Sequence, residues 1–188
     1  MRVFYDFEFI EYQRGWFRKY RTIEPISIGM VAEDGRELYL VNRNMPVRRI
    51  RRHPWLMANV VPSLPKGHGD MRINMPRRWL FHYADRCVQP REVIADRIRE
   101  FIQATPDVEL WADYGAYDHV SLAWLFGSMI ELPDGVPMFT NDLRQEMARL
   151  GVTDRDLPPN PGRAHNALED ARYDRSVARA LDEIEAAR

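Results

Sequence analysis

The first 41 residues show the apolar patterning of β-strands. Arg2–Phe9 consists mainly of aromatic and β-branched residues, which favour strands. Pro25–Val31 and Glu37–Val41 are two further strand-like runs, and the polar stretch Glu11–Thr22 before them predicts a loop. Asp34-Gly35 between the two runs is a hairpin signal, so we expect the second and third strands to be antiparallel.

The rest of the chain alternates helical and strand-like patterns. Asn42–Pro90 is rich in proline and predicts short helices and loops. Beyond it, apolar residues recur at helical spacing or in short runs. We predict helices at Arg91–Thr105, Ala116–Met129, Asp142–Leu150 and Ala167–Ala187, and strands at Val108–Ala112 and Pro137–Thr140. This order is typical of a mixed α/β sheet, which we expect to form one domain over residues 1–188.

Composition is that of an ordinary globular protein. Of the 188 residues, 45% are hydrophobic and 29% are charged, and no apolar run is long enough to span a membrane. We see no signal peptide, and the single cysteine, Cys87, excludes an intramolecular disulfide, so we expect a cytoplasmic location. The net charge of −1 gives no indication of a nucleic-acid partner.

Two acids interrupt the first apolar strand. Asp6 and Glu8 are two residues apart, so their side chains share one face of the strand, whereas Phe7 points to the other face. Neighbouring carboxylates repel each other and resist burial, and a cation between them removes that penalty. A solvated strand edge or an arginine partner is the alternative explanation for this pair.

A third acid follows the strand at Val108–Ala112. Asp118 falls in the first turn of the next predicted helix, at a strand-to-helix junction where α/β sheets place ligand groups. An acid is also favourable there without any ligand, because the helix dipole stabilises it by about 0.3–1 kcal/mol. Asp113, at the end of the strand, is a rival candidate in a less constrained position.

The last helix is preceded by a histidine. Asn166 is a good N-cap, and Glu169 stands three residues later as in a capping box, so the helix should begin after Asn166. His165 then lies just outside the helix, and Asp170 projects from its second turn. The alternative is a simple cap, with a loop histidine and a surface acid.

These three segments together suggest one metal site. Four carboxylates from a strand, a helix start and a final helix are suited to holding two divalent cations, which promote phosphodiester hydrolysis. Oxygen ligands without cysteine favour Mg²⁺ or Mn²⁺ over Zn²⁺. A nearby histidine is the side chain best suited to take a proton from the attacking water near neutral pH.

The motifs carry a family resemblance. Asp6-Phe7-Glu8, Tyr117-Asp118 and His165-x-Ala-x-x-Asp170 resemble the three motifs of the DEDDh exonucleases, in the superfamily of ribonuclease T and the proofreading subunits. The segments FYDFEFIE, ISIGMVAEDGRE and ELWADYGAYDHVSL are similar to small exoribonucleases of the polyadenylate-specific 3′-exoribonuclease AS type. The likeness covers residues 1–41 and 109–175.

This resemblance implies both a fold and an activity. It implies a ribonuclease H-like fold with a five-stranded mixed sheet flanked by helices, and release of nucleoside 5′-monophosphates from a 3′ end. It implies a single-stranded nucleic-acid substrate, with RNA favoured, two Mg²⁺ or Mn²⁺ ions, and a homodimer. The implied metal ligands are Asp6, Glu8, Asp118 and Asp170, and the implied general base is His165.

Two positions depart from the family pattern. Phe7 stands where many relatives have threonine, and Tyr114 stands where many have asparagine. Either change alters how the terminal nucleotide would be held. Phe7, Phe9 and Tyr117 lie near the motifs and are candidates for contact with a base, although the same positions suit the core.

Arginine and aromatic residues cluster in the central region. Such clusters suit a surface that binds single-stranded nucleic acid, although solvated arginines and packed tryptophans are the commoner explanation. The first cluster comprises Arg48, Arg49, Arg51 and Arg52 with Trp55, and the second comprises Arg77, Arg78 and Trp79 with His82 and Tyr83.

Three other functions remain open. A 3′-5′ DNA exonuclease would use the same chemistry, and only contacts to the 2′-OH discriminate it from an RNA enzyme. A non-catalytic nucleic-acid-binding module would not need all five motif residues. A phosphatase with an aspartyl nucleophile would need a lysine near its site, and both lysines, Lys19 and Lys66, fall in predicted loops.

Overall fold

Six strands form one mixed sheet in the computed structural model, which describes residues 1–66, 79–161 and 165–188. Their bounds are β1 Arg2–Arg14, β2 Tyr20–Ala32, β3 Glu37–Asn42, β4 Val88–Gln89, β5 Glu109–Ala112 and β6 Asn141–Asp142. The order across the sheet is β4-β3-β2-β1-β5-β6. The strand β1 is therefore central, with antiparallel β2 on one side and parallel β5 on the other.

The α/β class and the mixed, helix-flanked sheet are confirmed, and they are consistent with a ribonuclease H-like fold. The expectation of five strands is wrong, because β4 adds a sixth beside β3. Two residues are too few to show the alternation from which strands are predicted. The strand expected at Pro137–Thr140 lies slightly later, where Asn141 and Asp142 pair with the end of β5.

The first two strands form a hairpin that is longer than predicted. Glu11–Thr22 was expected to be a loop, but the antiparallel ladder continues to the pair Arg14 and Tyr20. Gly15 begins the turn with φ +102°, and a β-carbon there would meet the carbonyl oxygen of Arg18 at 2.1 Å. Backbone pairing extends the hairpin here although most of its side chains are polar or exposed and lack the apolar alternation of a core strand.

Helices cover both faces of the sheet. Their bounds are α1 Val47–Ile50, α2 Pro54–Asn59, α3 Arg91–Gln103, α4 Ala116–Phe126, α5 Leu143–Leu150 and α6 Ala167–Ala186. The four longer helices were all predicted, and Gly151 ends α5 in the left-handed conformation at φ +62°. Among the described residues, the structure has no helix that is long and apolar enough to cross a membrane.

Separate cores lie on the two faces. On one face, Tyr5 and Phe7 of β1 pack with Ile98 of α3 and Leu122 of α4. On the other face, Phe4 packs against α5 and α6. Further along this second face, Ile10 packs against the segment that contains α1 and α2. Asp6 and Glu8 lie between Phe4 and Ile10, in the gap between those two clusters.

A glycine brings the last helix close to this gap. Gly29 of β2 is the direct neighbour of Asp6 in the β1–β2 ladder. A β-carbon at Gly29 would lie 2.2 Å from the carbonyl oxygen of Ala167 and 2.4 Å from the Cα of Leu168. No side chain fits that space, so glycine permits the first turn of α6 to rest on the sheet beside Asp6.

Candidate active site

Three acids from two elements meet on the second face of the sheet. Asp6 and Glu8 project from β1, and Asp170 projects from the start of α6. One carboxylate oxygen from each lies within 4.8 Å of the other two. The structure therefore brings together the acids of the first and last motifs, as strand alternation and the helix boundary predicted.

The boundary of α6 explains how Asp170 is oriented. Asn166 is the N-cap, and its side-chain oxygen accepts the backbone N–H groups of Leu168 and Glu169. The predicted capping box is wrong in its second half, because the Glu169 carboxylate pairs with Arg172 at 2.6 Å. Asp170 instead accepts the Asn166 N–H at 3.0 Å, which points its carboxylate back towards the start of the helix and the sheet.

Asp118 adjoins this group from the opposite side of β1. It lies in the first turn of α4, as predicted, and is buried. Its Oδ1 accepts the backbone N–H of Phe7 at 2.8 Å, so it is bonded to the strand between the two β1 acids. Among the described residues, the group within 4.8 Å comprises Asp6, Glu8 and Asp170 and does not include Asp118, although the charge of Asp118 raises the pKa of both Asp6 and Glu8. A carboxylate with one such bond keeps further lone pairs for an ion.

Burial makes the charged forms of these acids unfavourable. It raises the pKa of Glu8 to about 8, and the carboxylates of Asp170 and Asp118 add to the rise. Burial likewise raises the pKa of Asp118 to about 7. The hydrogen bond from the Phe7 N–H favours the charged form and therefore opposes this rise. Burial raises the pKa of Asp6 well above its ordinary value, and Asp118 and Glu8 contribute further. The pKa of Asp170 is also raised, again mainly by burial.

A divalent cation fits this arrangement. Clustered carboxylates that are costly to ionise become favourable ligands once a positive charge lies among them. All the donors are oxygen atoms, which hard cations such as Mg²⁺ and Mn²⁺ prefer. The chemistry of the site therefore matches the ions expected from the motifs.

Metal binding should offset the loss of stability that rising pH causes in the metal-free protein. Because the folded-state pKa values are raised, the folded protein binds protons more tightly than the unfolded chain between pH 4.5 and about 8. The free energy of unfolding of the metal-free protein should then fall as pH rises through this window. A cation that binds the folded site at 100 times its Kd adds about 2.7 kcal/mol, or roughly 5–10 °C in melting temperature.

Thermal melts across this pH range, with EDTA or with Mn²⁺, measure this effect. We expect the gain in melting temperature from Mn²⁺ to grow with pH and to shrink in Asp6→Asn. Glu169→Gln, beside Asp170 but paired with Arg172, is the matched control and should keep the gain. A gain that is equal at both ends of the pH range would contradict the carboxylate site.

His165 lies at the edge of the acid group in a constrained backbone conformation. It precedes α6, as predicted, and has φ +65°, which is unfavourable for a residue other than glycine. Its Nδ1 lies 3.9 Å from Oε1 of Glu8, and 41% of its side chain is exposed. The imidazole is therefore close to the acids and still accessible to a substrate.

Two residues of the central region hold His165 in place. The ring of Trp55, in α2, meets the imidazole edge to face with centroids 4.7 Å apart. The hydroxyl of Ser63 donates to the carbonyl oxygen of His165 at 2.7 Å. Sequence reasoning missed both contacts, because nothing in the pattern of residues 42–90 indicates where that segment packs.

The three candidate base contacts differ in exposure. The ring of Phe7 is buried in the core opposite the acids, while its backbone holds Asp118. Phe9 stacks on Tyr117 with centroids 5.6 Å apart and rings 6° from parallel. Tyr117 is 50% exposed. The accessible aromatic surface of this set therefore belongs to Phe9 and Tyr117.

The acids line a cleft of about 460 Å³, within the range of small-ligand sites. Trp55, Tyr114 and Asp174 also line it. Asp174 lies one turn beyond Asp170, and burial raises its pKa well above the ordinary value. This acid was missed by sequence reasoning, although its i+4 spacing from Asp170 is a signal that both share a helix face.

The rival acid Asp113 is already paired. Arg144 contacts both its carboxylate oxygens, at 2.6 and 2.9 Å. The same guanidinium lies 4.9 Å from the ring centroid of Tyr114. Asp113 thus fixes the loop at the mouth of the cleft, where Tyr114 is 68% exposed with φ +52°.

The predicted arginine clusters are only partly within the described residues. In the first cluster, Arg49 lies over the ring of Tyr12 at 4.4 Å, and Arg51 donates to the carbonyl oxygen of Trp79. In the second, Arg77 and Arg78 lie outside the described residues, and Trp79 is buried in the core. The first cluster therefore borders the β1–β2 hairpin.

Comparison with known proteins identifies two close relatives. No protein-family model matches the chain. Two curated proteins of Mycobacterium tuberculosis, from strain CDC 1551 / Oshkosh and strain ATCC 25618 / H37Rv, are each named a 3′-5′ exoribonuclease. Each is 41% identical to this chain over 174 residues, which cover 92% of this chain and 88% of the relative.

Proposed function

The chain belongs to the family of these mycobacterial 3′-5′ exoribonucleases, and on that premise we propose that it is a metal-dependent 3′-5′ exoribonuclease. It hydrolyses single-stranded RNA or 3′ overhangs and releases nucleoside 5′-monophosphates. The observation that carries this proposal is the group formed by Asp6, Glu8 and Asp170, whose oxygens lie within 4.8 Å of one another in an open cleft.

Asp6, Glu8, Asp118 and Asp170 are the proposed ligands of two divalent cations, Mg²⁺ or Mn²⁺. When bound, such ions neutralise charge on the scissile phosphate and promote ionisation of the attacking water. The raised pKa values of Glu8 and Asp118 support this role, because acids that resist ionisation alone gain most from a cation. Asp118 also stiffens the site through its bond to the Phe7 N–H.

His165 is the proposed general base. Its exposure leaves an imidazole nitrogen free to accept a proton from water at the phosphate, while Trp55 and Ser63 restrict its movement. Holding a catalytic group in one orientation reduces the entropy lost in the reaction. The distance of 3.9 Å between Nδ1 of His165 and Oε1 of Glu8 supports this role.

Phe9 and Tyr117 are the proposed contacts for the terminal base, whereas the buried ring of Phe7 leaves it a role through its backbone N–H, which holds Asp118. A stacked aromatic pair offers a flat apolar surface to any base, which suits an enzyme that removes one nucleotide after another. The homodimer implied by the family resemblance stays a prediction.

An assay with end-labelled oligonucleotides tests the proposed function. Purified protein is incubated with single-stranded RNA or DNA of one sequence, in Mg²⁺, Mn²⁺ or EDTA. We expect RNA labelled at its 5′ end to shorten stepwise from the 3′ end, with 5′-monophosphates as products and no reaction in EDTA. Faster digestion of DNA would favour the DNA exonuclease, and digestion in EDTA would contradict metal dependence.

A further inference from the structure

The outer half of the β1–β2 hairpin carries a basic and aromatic surface. We define the hairpin tip as residues 14–21, which join the ends of the two strands. Every residue of the tip is exposed. It contains four cations and three aromatic residues and no acid: Arg14, Arg18, Lys19, Arg21, Trp16, Phe17 and Tyr20.

The cations of the tip differ from eight arginines elsewhere in the described residues, each of which forms an ion pair. Arg2, Arg144 and Arg149, for example, each contact two carboxylates. Within the part of the chain that the structure describes, no acid lies within ion-pair distance of the four cations of the tip. The molecule therefore presents a local positive charge here despite its net charge of −1, and such a surface attracts a polyanion.

The aromatic residues of the tip are exposed to an unusual degree. Trp16 is 89% exposed, Phe17 is 95% exposed and Tyr20 is 55% exposed. Large aromatic side chains that contribute nothing to a core and interleave with cations have the composition of a surface that stacks nucleobases and contacts phosphates. The turn that begins at Gly15 fixes where these rings are presented.

The same strand connects the tip with the acid group. Glu8, Tyr12 and Arg14 lie on one face of β1, at even intervals from the site. Arg14 lies six positions after Glu8 along the strand, or roughly 20 Å at 3.3 Å per residue. Arg49 of α1 lies over Tyr12 between them, and Trp55 of α2 reaches the cleft.

We propose that the hairpin tip binds the single-stranded RNA upstream of the 3′ end that occupies the cleft. This rests on the proposed function, and it names a second contact with the same substrate. An RNA strand satisfies both the cations and the aromatic rings, whereas an anionic membrane surface would use the same residues without involving the cleft. Only an RNA of several nucleotides spans the distance, so a dinucleotide should not sense the tip.

Matched variants separate this contact from catalysis. Arg18→Gln/Lys19→Gln removes two charges from the tip, and Arg97→Gln/Arg99→Gln removes two from α3, which packs on the other face of the sheet. Trp16→Ala/Phe17→Ala removes the two most exposed rings. Binding of a long single-stranded RNA is measured in EDTA at several salt concentrations, and hydrolysis of a dinucleotide is measured with Mn²⁺.

We expect Arg18→Gln/Lys19→Gln to weaken binding of the long RNA by about tenfold and to reduce the slope of log affinity against log salt by about 1.4, since each phosphate contact contributes about 0.7. Trp16→Ala/Phe17→Ala should weaken binding by about thirtyfold or more, since two stacked bases contribute about 1–3 kcal/mol each, with little change of slope. Both should retain wild-type turnover of the dinucleotide, and the α3 variant should match wild type in every assay.

Each other outcome overturns the proposal. Unchanged binding of long RNA would exclude the tip as a contact, and an equal loss with the dinucleotide would mean that the site itself is disturbed. Sedimentation with phosphatidylglycerol vesicles that requires Trp16 and Phe17, while RNA binding does not, would assign the tip to a membrane surface. If wild-type protein hydrolyses neither RNA, the proposed function fails independently of the tip.

Discussion

Replacing Asp6 with asparagine should lower kcat by about three orders of magnitude or more, because Asp6 is a proposed metal ligand and such a ligand contributes several kcal/mol to catalysis. Asparagine keeps the shape of the side chain and removes its charge. The charges of Asp118, Glu8 and Asp170 all raise the pKa of Asp6. Removing the Asp6 carboxylate should therefore affect ion binding more than any substitution at the edge of the cleft.

The same substitution should not destabilise the metal-free protein. Burial and like charges raise the pKa of Asp6 well above its ordinary value, so a neutral side chain relieves repulsion in the folded state. Activity on end-labelled RNA should therefore fall sharply, whereas the free energy of unfolding in EDTA should not decrease. Glu169→Gln is the matched control and should keep wild-type activity. Loss of both activity and stability in Asp6→Asn would point to a structural role instead.

Replacing His165 with glutamine should lower kcat by about 10²–10⁴-fold, the usual contribution of a general base. Metal binding should persist, because the imidazole is 3.9 Å from Glu8 and is not one of the three clustered ligands. The melting-temperature gain from Mn²⁺ should therefore match wild type. The limb of the pH–rate profile that reports the base should disappear, which distinguishes lost proton transfer from a merely disturbed cleft.

Two further variants locate the role of His165. Exogenous imidazole should restore part of the rate in His165→Ala, since the cavity then admits a free base. Trp55→Ala should reduce kcat less than His165→Gln and keep the pH profile, because Trp55 acts by holding the ring. Near-normal turnover of His165→Gln would remove His165 as the base.

The fold could be predicted from the sequence where burial of one face makes apolar residues recur at a regular spacing. The core strands and the four longer helices follow apolar patterns, the cap at Asn166 lies where the sequence placed it, and α5 ends at Leu150 as predicted. The outer hairpin and β4 were not predictable, because backbone pairing forms them and their side chains need no apolar alternation. The packing of residues 42–66 on His165 depends on tertiary contacts that leave no local pattern.

The site was predictable for a different reason. Asp6 and Glu8 share a face because strand alternation has a period of two, and Asp170 reaches them because a cap determines where α6 begins. The position of Asp118 beside them needed the family motif, since its bond to the Phe7 N–H joins residues 111 positions apart. Asp174 and Trp55 had no motif to mark them, and only the folded cleft shows that they line it.

Gly29 limits which substitutions the site can accept. The space above it is filled by the backbone of Ala167 and Leu168, so any larger residue must push the start of α6 away from Asp6. A descendant that retained every catalytic residue but lost this glycine would keep its core strands and its hairpin while its acids separated. Such a chain would be a pseudoenzyme that an inspection of the motifs alone would count as active.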